Sequence, residues 1–488
     1  MSELFRGKRA NWLLSAAVAV LVLGIQSWAI ATPSLWADEI ATISAATRSP
    51  DQLFAMLQHI DAVHGAYYLF MHFWLGIFGL DPFWLRFPSA VAVTLTVLVT
   101  WKFTSAEFGA KTGWFALALT ATLPRLTWAA TEGRSYAIDA LIGVCLLWFF
   151  VSAAKSDSPR LNRNWLGYFL CLTIGIYFFI YIVLLAIGLG GWLLLKRKKA
   201  MRAWLMATAA AMLTSLPILI WAVIEKGQVG WLEPLSQRTI LEVFAEQAFL
   251  QDVPLALMAT GLVLAFMVGA RRPGRVETGQ QSELISLLSI GVVLPPAAVL
   301  AYSALGSSIY DARYFTFSTP MVAILLALAR ERLLEKRLGY LALALAVLLS
   351  LQPYFYFRSP TGKLTSWGAL ATMVERTGHS GDGILYADFE AQSPSLSRIA
   401  IGYPTEFAKL QDLTQVRPYY LADGLYSKRS SIDGIPSQLP RYRHVLVLGS
   451  TAYLGNYKHI KMLLETNGFV LKKRTWVYNN WVSVFSKP

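Results

Sequence analysis

The chain is dominated by one recurring unit, a run of roughly twenty apolar residues followed by a short polar loop. A helix of that length spans the ~30 Å hydrocarbon core of a bilayer. Such runs lie near residues 11–31, 87–105, 113–130, 135–153, 203–224, 252–270, 284–303, 315–330 and 338–353. The stretch 165–195 holds thirty-one residues without a charge, between the basic loops KSDSPRLNRN and KRKKAMR. If both loops face the cytoplasm, this stretch must cross twice, turning around Tyr177 to Tyr181, which brings the expectation to about eleven spans. The first run resembles a signal peptide in its basic start, but the apolar stretch runs on to Ala31, so it reads as a retained helix.

Composition agrees. With 55% apolar and only 15% charged residues, the chain is too apolar for a water-soluble globule. The net charge is +14, and most of the Lys and Arg outside the C-terminal segment sit in short loops between apolar runs, which speaks for membrane orientation and against a nucleic-acid face. With the N-terminus inside, twenty Lys and Arg fall in cytoplasmic segments and seven in the outer loops that precede the C-terminal segment. The two cysteines, Cys145 and Cys171, lie within apolar runs, where they read as small hydrophobes rather than a disulfide or metal site.

This organisation predicts a polytopic α-helical membrane module over residues 1–353 and an extracytoplasmic α/β domain over 354–488. In the latter, helical patterns (WGALATMVERTG, YKHIKMLLETNG) alternate with short apolar strands (DGILYADF, RHVLVLGS), and FVLKKRTWVYNNWVSVFSK closes as a hairpin around Asn479 and Asn480. No glycine-rich phosphate loop opens a helix there.

The chemistry gathers in the outer loops. SLWADEIATI places Asp38 and Glu39 just beyond the first span, at the start of a loop over 32–86 whose helical, aromatic-studded segments suit the membrane interface. Asp61, His64, Asp81 and Arg86 share that loop. Glu132, Arg134, Tyr136 and Asp139 come from TEGRSYAID, Lys226 and Glu233 from beyond the seventh span, and Asp311, Arg313 and Tyr314 from SSIYDARYFTF. Ionisable groups beside a span are costly unless they pair or face a polar cavity. Glu132 with Arg134, and Asp311 with Arg313, suit structural ion pairs as well as a substrate site. Trp36, Tyr67, Tyr68, Trp74, Tyr177 and Tyr181 suit interfacial anchoring more than sugar stacking.

SLWADEIATI, DAVHGAYYLFMHFWLGIFG, DPFWLRFPSAVAV and EGRSYAIDAL, in that order, resemble the motifs of membrane glycosyltransferases of the GT-C fold. The nearest groups are the protein O-mannosyltransferases and the bacterial enzymes that transfer aminoarabinose to lipid A. The resemblance implies an inverting enzyme that uses a polyprenyl-phosphate sugar on the outer face of the membrane. It implies that Asp38 is the catalytic carboxylate and Glu39 its acidic neighbour, with His64, Arg86, Arg134 and Tyr136 at motif positions. Gly65 and Ala66 stand where the family often has two prolines.

The residues support the same chemistry on their own account. A carboxylate can take the proton from an acceptor hydroxyl, while arginine forks suit the oxygens of a departing phosphate. Arg86, Arg134 and Arg313 are the available donors, and Glu132 and Tyr314 complete the substrate-binding set. Retaining hydrolysis needs two carboxylates facing each other across the sugar, and adjacent loop residues are poorly placed for that.

The expected partners are a polyprenyl-phosphate sugar donor, with mannose favoured over arabinose, a lipid, glycan or protein acceptor, and membrane lipids. No cofactor is expected; a divalent metal held by carboxylates and an imidazole is the less favoured alternative. A transporter or lipid-linked sugar flippase is the competing function, but no internal repeat is visible and the charges collect at span ends. A membrane-anchored scaffold leaves the acidic pair unexplained.

Overall fold

The computed structural model describes residues 2–155, 162–269, 279–389 and 396–488. The loop basic residues Arg160, Arg271, Arg272 and Arg275 lie outside that set. Helix α1 (Ser2–Ser27) is followed by α2 (Ala37–Ala46), α3 (Pro50–Leu57) and α4 (Gly65–Phe78). Next come α5 (Pro82–Phe108), α6 (Ala110–Thr122), α7 (Pro124–Ala129) and α8 (Tyr136–Ala154). The chain continues through α9 (Arg163–Phe178), α10 (Ile182–Lys196), α11 (Met201–Thr214) and α12 (Leu216–Ile224), then the short α13 (Gln237–Leu241) and α14 (Gln247–Phe249). Helices α15 (Val253–Gly269), α16 (Gly279–Leu305), α17 (Thr319–Leu333) and α18 (Lys336–Tyr356) complete the apolar part.

Among the described residues, five helices are long and apolar enough to cross a membrane, rising to seven if each of two bent pairs is one span. The first of these bends has a local cause. Lys198–Thr214 and Leu216–Ile224 meet at 61° where Pro217 removes a backbone donor. Leu123 breaks α6 from α7 in the same way, because Pro124 follows it. The charge-free stretch divides into α9 and α10 at Phe179, whose φ of −161° and ψ of 111° are extended. Many large apolar side chains on these helices face outward, among them Leu195, Leu213, Leu305 and Leu341, as a lipid solvent permits.

The chain divides into two compact units. One comprises Met1–Ile30, Asp61–Tyr67 and Leu85–Phe357. The other comprises Ala31–Ile60, Tyr68–Trp84 and Arg358–Pro488. Where the sequence groups the loop 32–86 with the transmembrane module, most of that loop packs with the C-terminal segment. An amphipathic helix presents the same pattern to a membrane surface and to a protein partner.

The second unit holds α19 (Trp367–Thr377), strand β1 (Gly383–Tyr386), the short α20 (Ile399–Gly402) and α21 (Pro404–Phe407), β2 (Gln411–Asp412), β3 (Gln415–Arg417), β4 (Lys428–Arg429), β5 (His444–Ser450), α22 (Leu454–Thr466), β6 (Val470–Val477) and β7 (Asn480–Ser486). One sheet has the order β2-β1-β5-β7-β6, with β1 parallel to both neighbours and the last three strands antiparallel. The β6–β7 connection is Tyr478–Asn479, with Tyr478 left-handed at φ 55°. Asn480 is already paired with Val477, so the turn lies one residue earlier than expected.

Candidate active site

The acidic pair occupies the first turn of α2, where carboxylates complement the helix dipole. Residues on neighbouring helix positions point about 100° apart, and the pair splits accordingly: Glu39 is fully buried, while Asp38 is half-buried. Of the two carboxylates, only Asp38 keeps solvent access.

Both ends of α2 are pinned by the C-terminal segment of the same unit. Ahead of it, Ser34 N–H donates to the Pro360 carbonyl (3.1 Å), Leu35 N–H to the Tyr403 hydroxyl (2.8 Å), and the Thr365 hydroxyl to the Leu35 carbonyl (3.0 Å). Beyond it, Arg48 donates to the carbonyls of Ser44 (3.2 Å), Ala422 (2.9 Å) and Gly424 (2.6 Å). Burial lowers the Arg48 guanidinium to a pKa of about 10, and it stays charged at neutral pH. Gly402 lets α20 approach closely, since a Cβ there would lie 2.9 Å from Ile40.

In the other unit, an aromatic hub gathers three of the expected substrate-binding residues. His64 ends a one-turn 3-10 helix, Ala62–His64, and stacks on Phe179. Tyr136, in the first turn of α8, meets the same ring edge-on at 6.2 Å, and Tyr314 lies 5.2 Å from it. Tyr181 stacks on the hub at 5.0 Å and donates its hydroxyl to the Ile309 carbonyl (2.6 Å). Trp128 backs Tyr136 at 5.5 Å. The turn holding His64 is fastened from α12 and the turn beyond it: Glu225 accepts from Ala62 N–H (2.9 Å) and Gln228 from Asp61 N–H (3.0 Å).

The EGRSY loop is held against α5. Ser89 donates to the Glu132 carbonyl at 2.6 Å, and Gly133 faces Leu85 so closely that a Cβ would lie 2.7 Å from its Cγ. Glu132 and Arg134 are both buried beside this anchor. Arg86 is fully buried and donates to the Ile30 carbonyl (2.6 Å), which ties α5 to the end of α1. Arg313 pairs with Asp311 at 2.9 Å, with Trp231 and Tyr314 rings 5.7 and 5.8 Å from its guanidinium. Asp139 accepts from the Ser135 hydroxyl (3.0 Å).

The structure thus joins His64, Tyr136 and Tyr314 through Phe179, and Glu132 and Arg134 through Ser89. Asp38 and Glu39 belong to the other unit. The sequence assigns no site role to Phe179, Glu225, Ser89 or Arg48. The turn required within 165–195 was the one available signal for Phe179. Among the described residues no group of three or more His, Cys, Asp or Glu is arranged to hold a metal ion.

Residues 65–221 match the sequence family of dolichyl-phosphate-mannose-protein mannosyltransferases. The fold matches that of ArnT from Cupriavidus metallidurans bound to undecaprenyl phosphate with a TM-score of 0.60 at 13% identity, over 97% of this chain and 98% of that one. This chain has the GT-C glycosyltransferase fold. The apo state of ArnT matches with the same score. Arabinofuranosyltransferase AftD from Mycobacteria matches at a TM-score of 0.51 and 15% identity, over 98% of this chain and 40% of that one. No curated protein matches the chain by sequence.

Proposed function

We propose that the chain is an inverting membrane glycosyltransferase that moves a sugar from a polyprenyl-phosphate donor to a cell-envelope acceptor on the outer face of the membrane. The observation that carries this reading is the split acidic pair on α2 in a chain of GT-C fold: Glu39 is sealed, and Asp38 keeps access. The acceptor hydroxyl oxygen forms a bond to the anomeric carbon as the bond from that carbon to the phosphate oxygen breaks. Asp38 takes the hydroxyl proton, and polyprenyl phosphate leaves with the bonding pair. One displacement inverts the anomeric centre.

Arg134 and Arg313 are the proposed phosphate partners, since charge builds on the leaving oxygens. Arg86 acts indirectly, by tying α5 to Ile30 just beyond α1. His64, Tyr136 and Tyr314 line the substrate path. Mannose is the favoured sugar because the matched family is described by a mannosyl donor; arabinose is the alternative.

Eleven crossings are proposed as the topology. The five long helices, the two bent pairs and the shorter apolar helices Trp12–Ser27 and Ile182–Lys196 supply nine, and α6 with α7, and α9, supply the others. The basic bias of the loops supports an extracytoplasmic position for residues 354–488.

The test uses purified protein and radiolabelled polyprenyl-phosphate mannose or arabinose. Release of polyprenyl phosphate is expected from the wild type, and D38N is expected to slow it by about 10²–10⁴-fold with unchanged melting. Full-speed release by D38N overturns the assignment of the base. Label that crosses vesicles with its phosphate bond intact identifies a flippase instead.

A further inference from the structure

A cavity of about 180 Å³ opens in the C-terminal α/β region beyond the carboxyl end of β1. In open α/β sheets, ligands bind outside the carboxyl ends of parallel strands, and β1 is flanked by two parallel neighbours. The lining includes Asp388, Phe389, Arg398, Tyr426 and Arg429.

Asp388, two residues past β1, is 1% exposed. Its Oδ2 accepts from Ser397 N–H at 3.1 Å, whereas its Oδ1 has no hydrogen-bond partner among the described residues. A buried acceptor left unmade is costly, and its persistence at a cavity wall points to a ligand that donates to it. Both arginines are engaged. Arg429 pairs with Asp412 at 2.8 Å and covers Tyr386, and Arg398 lies 3.9 Å from the Tyr426 ring centroid.

This balance selects the ligand class. The two guanidinium groups disfavour a cation, and the unsatisfied carboxylate oxygen disfavours an anion. A hydroxyl both donates and accepts, so it satisfies Asp388 while taking bonds from arginine N–H groups. Phe389 and Tyr426 offer flat apolar surface for the C–H face of a ring. We propose that this cavity is a binding site for one neutral glycosyl unit of a saccharide, separate from the Asp38 chemistry.

The experiment is saturation-transfer NMR on the full-length protein in detergent, with methyl mannosides and methyl arabinofuranosides as probes. Wild type is expected to bind at least one of them. D388N keeps the bond from Ser397 but turns an acceptor towards a donor, and it is expected to weaken binding about tenfold or more. Y426A, which removes ring surface without touching Asp388, is expected to weaken it as well and serves if D388N fails to fold. D38N stops transfer yet is expected to bind as wild type, so this proposal and the transferase proposal fail separately. Absence of binding to wild type, or binding by both D388N and Y426A at the wild-type level, overturns the site. Displacement of the sugar by inorganic phosphate overturns the neutral ligand in favour of an anion.

Discussion

His64 and Phe179 lie face to face, their ring centroids 6.3 Å apart and their planes 11° from parallel. The contact joins a residue just before α4 to the break between α9 and α10, more than a hundred positions along the chain. Phe179 also meets Tyr136, Tyr181 and Tyr314, so its ring sets the spacing of the whole aromatic wall.

Truncating that ring is expected to be severe. F179A removes a 5%-exposed side chain and should cost about 3–5 kcal/mol, read as a fall in melting temperature in detergent. H64F retains a stacking plane and should melt close to wild type while raising KM for the donor. An H64F enzyme with wild-type KM would remove His64 from the substrate path.

The turn before α4 depends on a carboxylate from α12's end. E225A leaves the buried Ala62 N–H without its acceptor and should cost about 1–3 kcal/mol. Burial raises the Glu225 carboxyl above its ordinary 4.5, with the Ala62 bond opposing. The native state then binds more protons than the unfolded state across that window. The contribution of Glu225 to stability is accordingly fully present below the ordinary carboxylate range and is lost as pH rises through the raised value. E225Q keeps an acceptor and removes the titration, so melting curves across pH should show this slope in wild type and lose it in E225Q.

The EGRSY loop rests on one hydroxyl and one missing side chain. S89A removes the bond to the Glu132 carbonyl and should cost about 1 kcal/mol. G133A drives a methyl group into Leu85, itself fully buried, and should cost about 1–3 kcal/mol by overpacking. Because Arg134 follows directly, G133A is expected to lower kcat/KM more than S89A does. Wild-type activity in both variants would show that the loop's position does not govern turnover.

The helices of the apolar part were legible because their signal is local: a run of apolar residues long enough to span, stopped by charge or proline. The break at Phe179 was legible within two residues, since basic loops on both sides of a charge-free stretch force a turn. The strands β1 and β5 and the terminal hairpin were legible for the same reason. The partners of α2 were not. Ser34 with Pro360, and Leu35 with Tyr403, pair across more than 300 residues, and bonds to backbone carbonyls or a lone hydroxyl leave no pattern in sequence. The difference between Asp38 and Glu39 was hidden too, because both sit in one turn and only packing decides which faces inward.

Arg48 condenses that difficulty into one side chain. In the sequence it is one more outer-loop cation; in the fold it is 1% exposed and donates to three carbonyls at the end of α2. Hydrogen bonds from a charged donor contribute about 1.5–3 kcal/mol each, and R48A strips all three while leaving the carbonyls behind. R48K keeps a charge but lacks the planar fork that reaches Ala422 and Gly424 together. Melting temperature should therefore fall in the order wild type, R48K, R48A. Since α2 carries Asp38 at its opposite end, kcat should fall in the same order while donor affinity changes less. A variant that melts early yet turns over at the wild-type rate would show that the bonds beyond α2 do not hold Asp38 in place.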